Sequence, residues 1–123
     1  MCRNRCRIRS PFSAGRIRFF VQQVMLGARG GVLTSAALIP GHWAKIQVTA
    51  DQGEVSEALA EQRKLNLPMD ALFAEEFPSA VRAAFEMIGI PIGHVLPPVG
   101  ELSGETRAKL SAAISALKNR NIL

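Results

Sequence analysis

The chain has 123 residues and a formal net charge of +5, with 48% hydrophobic and 20% charged residues. This length allows one domain at most, and the composition is typical of a chain that forms a core, which excludes disorder along its whole length. No apolar run approaches the ~18 residues of a transmembrane helix, so the sequence excludes a membrane-spanning protein. Two cysteines, Cys2 and Cys6, complete neither a disulfide framework nor a zinc site.

The positive charge is concentrated at the start of the chain. Residues 1–18 hold six arginines and no acidic residue, whereas the remaining charges are almost balanced. We predict a basic, disordered tail over residues 1–15, because closely spaced like charges repel one another. A nucleic-acid-binding arm, an organellar transit peptide and a misassigned start or reading frame are the alternatives for this segment. Nucleic acid is not the partner that we favour.

Residues 16–51 alternate between helical and strand-like patterns. The apolar spacing predicts a helix over 17–27, and the glycines of residues 27–31 end it. Residues 32–35 are short, apolar and partly β-branched, which predicts a buried strand. Pro40 begins a helix that we predict over 40–50. The order of helix, glycine turn, strand and helix is typical of one unit of a parallel α/β array.

Residues 52–123 predict helices alone. The apolar spacing places them at 54–66, 69–75, 80–88 and 104–118. Pro68 is expected to interrupt the first two, while Ser79 and Ser103 are expected to cap the last two. Residues 90–100 contain three prolines and are expected to be extended. The prediction is thus a mostly α chain with one short strand, and a single strand lacks the neighbours of a sheet.

The sequence offers little catalytic chemistry. His42 and His94 have no second ligand at metal spacing, so we expect neither a metal nor a cofactor. Glu75 and Glu76 are interpreted as a solvated acidic pair. Four lysines fall on predicted polar faces or caps, and none is expected to be desolvated enough for Schiff-base chemistry: Lys45, Lys64, Lys109 and Lys118.

Thr34 and Ser35 are the candidate substrate-binding residues. They end the predicted strand, and α/β sheets and barrels bind ligands at the carboxyl ends of their strands. The alternative is that both hydroxyls close the strand end by hydrogen bonding to the backbone. The sequence leaves both interpretations open.

Three segments together resemble a known enzyme family. Residues 26–40, which read LGARGGVLTSAALIP, and Trp43 are similar to the last barrel strand and helix of the dihydrodipicolinate synthase/N-acetylneuraminate lyase family. Leu67-Pro68, followed by Leu72-Phe73, resembles the proline-broken helix of the family's C-terminal extension. Residues 79–103 resemble the helix, the proline-rich passage and the Leu-Ser start of the family's final helix. The resemblance covers about residues 19–118.

The resemblance implies the C-terminal fragment of a (β/α)₈ TIM barrel with its helical C-terminal extension. Residues 16–51 would be the last helix–strand–helix part of the barrel, and residues 52–123 would be the extension. A complete barrel of this kind takes ~250 residues. Ala37 stands where many members have asparagine, so the resemblance does not identify a substrate.

The resemblance also implies an activity for the parent protein. Members of the family are cytoplasmic homo-oligomers that act as lyases, aldolases or dehydratases. They form a Schiff base between a barrel lysine and a keto acid, often pyruvate. The segments that bear this lysine and the catalytic tyrosine are not in this sequence, which contains no tyrosine at all. We therefore expect no catalytic residue in this chain and no activity of the chain alone.

Two other classes of function remain open. The chain could be a small helical interaction module that retains an oligomerisation surface and has lost catalysis. It could also bind nucleic acid through its basic tail, in which case affinity would fall steeply with salt.

Overall fold

The computed structural model describes residues 17–123, and the predicted tail at residues 1–15 lies outside them. Two short 3-10 helices, Ile17–Phe19 and Thr34–Ala37, occur in the described part of the chain. Its α-helices are, in order, α1 (Phe20–Met25), α2 (Pro40–Asp51), α3 (Val55–Arg63), α4 (Asn66–Leu72), α5 (Ser79–Met87) and α6 (Gly104–Asn119). None of the helices in residues 17–123 combines the length and the hydrophobicity of a membrane span.

The helices pack in two groups around a common core. Helices α1, α2 and α3 contact one another, and α6 packs against both α4 and α5. One cluster of buried apolar side chains runs through both groups and includes Val21, Ile46, Leu65 and Leu110. Removing such side chains from water is the main favourable contribution to folding, at about 1.5–3 kcal/mol each. The mostly helical architecture predicted from the sequence is therefore confirmed.

The predicted strand at residues 32–35 is wrong. Leu33 has extended backbone angles, but the chain then turns into the 3-10 helix Thr34–Ala37, and residues 17–123 contain no β-strand. Ala36 N donates to Leu33 O over 3.0 Å, and Ile39 N donates to Ser35 O over 3.0 Å. A strand needs a neighbour to pair with these backbone groups. Because the described residues offer no neighbouring strand, local hydrogen bonds satisfy these backbone groups instead.

Pro68 does not interrupt a helix, contrary to the prediction. Helix α4 begins at Asn66, and Pro68 is buried at its third position. The first four N–H groups of a helix have no partner within the helix, so the missing N–H of a proline in the first turn breaks no bond. The helix therefore covers 66–72 rather than the predicted 69–75.

The serines predicted to cap α5 and α6 differ in their roles. Ser103 is the N-cap of α6, as predicted, and its Oγ accepts a hydrogen bond from Thr106 N over 3.3 Å. Ser79 instead lies inside the first turn of α5 and donates to Gly100 O over 2.7 Å. Residues 90–100 form no helix, also as predicted. The hydrogen bond of Ser79 therefore connects residues 90–100 to α5 and does not cap the helix.

Candidate functional site

A surface cleft of about 650 Å³ lies between the start of the described chain, residues 32–34 and helix α4. Its walls combine apolar and polar side chains, including Phe19, Val32, Phe73, Arg18, Thr34 and Asp70. A concave surface with a few polar groups among apolar ones is the usual form of a small-molecule site. This cleft is the candidate site.

Arg18 and Asp70 form an ion pair in the wall of the cleft. Their side chains are 59% and 47% exposed, so water screens the attraction between them. Exposed pairs of this kind contribute about 0–1 kcal/mol to stability. The pair therefore contributes little to stability, but it gives the cleft a charged wall. An incoming anion would compete with Asp70 for the guanidinium of Arg18.

The two predicted substrate-binding residues lie in different environments. Thr34 is partly exposed and lines the cleft. Ser35 is fully buried, and its Oγ accepts a hydrogen bond from Nε1 of Trp43 over 3.0 Å. A ligand in the cleft can thus reach the side chain of Thr34, whereas that of Ser35 is already bonded in the core.

Gln62 forms hydrogen bonds with the segment that lines the cleft, and its role was not predicted from the sequence. This buried side chain of α3 accepts a hydrogen bond from Val21 N and donates one to Arg18 O, both over 2.8 Å. The first of these bonds satisfies an N–H in the first turn of α1, which has no partner within its own helix. The sequence does contain a sign of this role. Gln62 follows Val55 and Ala58 at helical spacing, so it is a polar residue within an apolar stripe.

A second cluster lies where Glu61 of α3 meets α2. Nε2 of His42 is 3.4 Å from Oε2 of Glu61, and Nζ of Lys64 is 2.8 Å from Oε1. Burial lowers the pKa of His42, and the nearby lysines also lower it, although the Glu61 carboxylate acts in the opposite direction. The hydrogen bond from Lys64 holds the pKa of Glu61 below its ordinary value despite partial burial. The side chain of His42 is largely buried, and its contact with Glu61 was not predicted from the sequence.

A second groove, of about 410 Å³, runs between α5 and residues 91–102. Its two arginines are already engaged. Arg82 donates to Ile92 O over 3.0 Å and to His94 O over 2.6 Å, while Arg107 pairs with Glu86 over 2.9 Å. The groove therefore offers little free positive charge to a ligand.

The other residues considered for catalysis or metal binding are Glu75, the four lysines and the potential metal ligands. Glu75 is not a purely solvated acid as predicted, because Ser103 N donates to its Oε2 over 3.1 Å. All four lysines are exposed, which agrees with their predicted positions on polar faces: Lys45, Lys64, Lys109 and Lys118. Within residues 17–123, no three potential metal ligands of the His, Cys, Asp or Glu type lie close enough to hold an ion.

The sequence is similar to curated enzymes. It is 34% identical over 90 residues to 4-hydroxy-tetrahydrodipicolinate synthase 1 of Halalkalibacterium halodurans. The aligned residues cover 73% of this chain and 30% of that protein. It is also 34% identical over 116 residues to the 4-hydroxy-tetrahydrodipicolinate synthase of Prochlorococcus marinus, covering 94% of this chain and 38% of that one. The chain thus spans about a third of the length of these relatives.

The fold is similar to solved structures of the same group. A crystal structure of dihydrodipicolinate synthase superposes with a TM-score of 0.79 at 26% identity, over 90% of this chain and 38% of that chain. The enzyme from Thermotoga maritima superposes with a TM-score of 0.80 at 22% identity, over 90% and 37% of the two chains, which supports the fold alone. The fold is that of the C-terminal part of a family TIM barrel and its helical extension. Because residues 3–117 match the sequence profile of the dihydrodipicolinate synthetase family, the chain belongs to that family.

Proposed function

We propose that this chain is the C-terminal portion of a Schiff-base lyase or aldolase, and that it has no catalytic activity alone. The observation that carries the proposal is the family match over residues 3–117 in a chain that spans only 30% to 38% of its curated relatives. The exposure of all four lysines supports the second half of the proposal. A Schiff-base lysine must lose its proton near neutral pH, and desolvation is what usually lowers its pKa.

In this proposal the substrate is a keto acid such as pyruvate, bound by the complete cytoplasmic enzyme. The hydroxyl of Thr34 would donate a hydrogen bond to the substrate carboxylate, because its side chain lines the cleft and is partly exposed. Ser35 would act indirectly, since its bond to Trp43 fixes the backbone beside Thr34. No metal or cofactor takes part in this chemistry.

The proposal also assigns the two parts of the chain. Residues 16–51 would complete the barrel, and residues 52–123 would form the extension that supports a homo-oligomer. Large apolar side chains in the first part are exposed, including Leu26 at 84% and Val32 at 81%. We infer that the rest of a barrel covers them, because exposed apolar side chains of this size favour association.

Borohydride trapping with pyruvate tests the proposal. A full-length relative, such as the Halalkalibacterium halodurans synthase, is the positive control and should gain the mass of a reduced pyruvate adduct. This chain should gain none under the same conditions. A stable adduct on Lys45, Lys64, Lys109 or Lys118, located by peptide mass spectrometry, would show that the chain has Schiff-base chemistry of its own.

A second experiment separates the proposal from the interaction module. Helices α4, α5 and α6 pack on one another, which is the observation that favours an independent helical module. We would mix the chain with the part of the Halalkalibacterium halodurans synthase that it does not match and repeat the trapping. Restored trapping supports a complementing barrel portion. Binding of the full-length synthase without any restored trapping supports the module.

A further inference from the structure

Residues 90–99, which we name the strap, lie between α5 and α6 and bury little of their surface. Only Val95 and Val99 of the strap are partly buried, and its other residues are exposed. At its first residue, Ile90 N donates a hydrogen bond to Phe85 O over 2.9 Å. A segment that buries so little apolar surface gains little from the hydrophobic effect, so hydrogen bonds must hold its middle in place.

Arg82 of α5 supplies those hydrogen bonds. Its Nη1 donates to Ile92 O over 3.0 Å and to His94 O over 2.6 Å. The two carbonyls converge on one nitrogen because Gly93, which lies between them, has a φ of +80°, a value that residues with a side chain rarely adopt. The left-handed bend at Gly93 and the guanidinium of Arg82 therefore form one latch.

The other side-chain contacts near the strap hold it weakly or lie beyond its end. Ser79 bonds to Gly100 O, just after the strap. Nδ1 of His94 is 3.7 Å from Oε1 of Glu101, but these side chains are 93% and 79% exposed, so water screens any attraction between them. Within residues 17–123, Arg82 is thus the side chain that fastens the middle of the strap.

The strap forms one wall of the groove of about 410 Å³, and α5 forms the facing wall. This volume lies in the range of small-molecule sites, roughly 300–1,000 Å³. Ala83 lines the groove from α5 and is only 6% exposed. Movement of the strap away from α5 would widen the groove and expose Ala83 to solvent.

Glycines flank the strap at both ends. Gly89 precedes it with a φ of +87°, and Gly100 follows it. At both positions an added Cβ would meet no atom within 4 Å, so the surrounding space is open. Such positions suit hinges, because a hinge needs a few residues outside regular structure that absorb large changes in backbone angles.

We propose that Arg82 is the latch of a strap that closes the groove. While the guanidinium bonds to Ile92 O and His94 O, the strap lies against α5; when these bonds break, residues 90–99 swing away. Opening also leaves the guanidinium free, so the latch controls both the width of the groove and its charge. This inference does not depend on the proposed function, because it concerns only α5, α6 and the strap.

Backbone ¹⁵N relaxation of the 123-residue chain tests the latch. In wild type, the order parameters of Gly93, His94 and Val95 should be close to the rigid value of about 0.85. In Arg82→Met, which keeps a long side chain but no donor, they should fall below about 0.6. Unchanged values in the variant, or values below about 0.6 already in wild type, would overturn the proposal.

A second variant reaches the same latch from the strap. Gly93→Ala disfavours the left-handed bend, so it should lower the same order parameters although Arg82 is intact. The double variant should show no further fall, because both substitutions break one contact. Arg107→Met is the control, since Arg107 pairs with Glu86 and does not bond to the strap, and it should leave the order parameters unchanged. An equal fall in Arg107→Met and Arg82→Met would contradict the role of Arg82.

Thiol labelling measures whether the strap covers the groove. In a Cys2→Ser, Cys6→Ser background, the modification rate of Ala83→Cys by a soluble disulfide reagent should rise several-fold when Arg82→Met is added. Ala116→Cys lies on an exposed position of α6 and should react at the same rate with and without Arg82→Met. Equal rates for Ala83→Cys in the two backgrounds would show that the strap does not close the groove.

Discussion

The indole Nε1–H of Trp43 donates a hydrogen bond to Oγ of Ser35 over 3.0 Å, and both side chains are buried. This bond joins the first turn of α2 to the 3-10 helix that begins at Thr34. The ring of Phe20 packs edge-on against the indole, with ring centroids 5.2 Å apart. Trp43 thereby connects α1, α2 and the segment that presents Thr34 to the cleft.

Replacing Ser35 with alanine should destabilise the chain by leaving a buried donor without a partner. The expected loss is about 1–3 kcal/mol in the free energy of unfolding, which urea denaturation measures. Trp43→Phe and the double variant complete a cycle, and the coupling between the two positions should be favourable by roughly 0.5–3 kcal/mol. Strictly additive effects would mean that the hydrogen bond contributes nothing to stability.

Gln62→Leu should destabilise the contact between α1 and α3 more than its small change in volume suggests. The substitution leaves Val21 N–H and Arg18 C=O without their partner, at a cost of roughly 1–3 kcal/mol for a buried group of this kind. Gln62→Glu keeps an acceptor for Val21 N, but at neutral pH it loses the donor to Arg18 O and places a negative charge at a buried position. We expect both variants to be less stable than wild type in thermal unfolding, and the loss for Gln62→Glu to shrink at acidic pH, where a protonated carboxyl can donate to Arg18 O. A Gln62→Leu variant as stable as wild type would contradict this role.

The helical architecture was predictable because local patterns determine most of it. Ser103 carries the side chain of an N-cap, and the apolar stripe that follows includes Leu110, Ile114 and Leu117, all of which are buried. The family resemblance supplied the fold from the same residues. Pro68 was misinterpreted, since the sequence does not distinguish a proline in the first turn from one that ends a helix.

The features that sequence analysis missed depend on distant residues. Residues 32–35 have the pattern of a strand, but a strand requires a partner, and residues 17–123 supply none. Gln62 bonds to residues that are 41 and 44 positions away, and Glu75 bonds to a residue that is 28 positions away. No local pattern specifies such pairs. Thr34 was placed in the candidate site, and its role there stays a prediction.

Glu75 should make the docking of α6 sensitive to acid. The Ser103 hydroxyl, with further help from the Thr106 hydroxyl and Ser103 N–H, holds the pKa of this carboxyl below its ordinary value of 4.5. A carboxyl with a lowered pKa contributes stability above that value and loses it as the pH falls through its folded pKa. Wild type should therefore be more stable than Glu75→Gln at neutral pH, and thermal unfolding should show the difference shrinking below pH 4.5.

The neighbouring acid provides the control for this prediction. Glu76 is exposed, and Glu76→Gln removes the same charge from the adjacent position. It should not reproduce the pH-dependent difference, because Ser103 bonds to Glu75. Equal behaviour of the two variants would indicate that net charge alone determines the acid response.

The apolar wall of the cleft should make the isolated chain associate with itself. Phe19 and Val32 line the same cleft and are 51% and 81% exposed, and burying apolar surface gains about 25 cal/mol per Å². Sedimentation velocity should show a weight-average mass that rises with concentration, and Phe19→Gln combined with Val32→Thr should reduce that rise. Leu96→Gln is the matched control, since Leu96 is 79% exposed but lies outside the cleft. A chain that stays monomeric at all concentrations would show that this surface needs no partner, and the inference that the rest of a barrel covers it would fail.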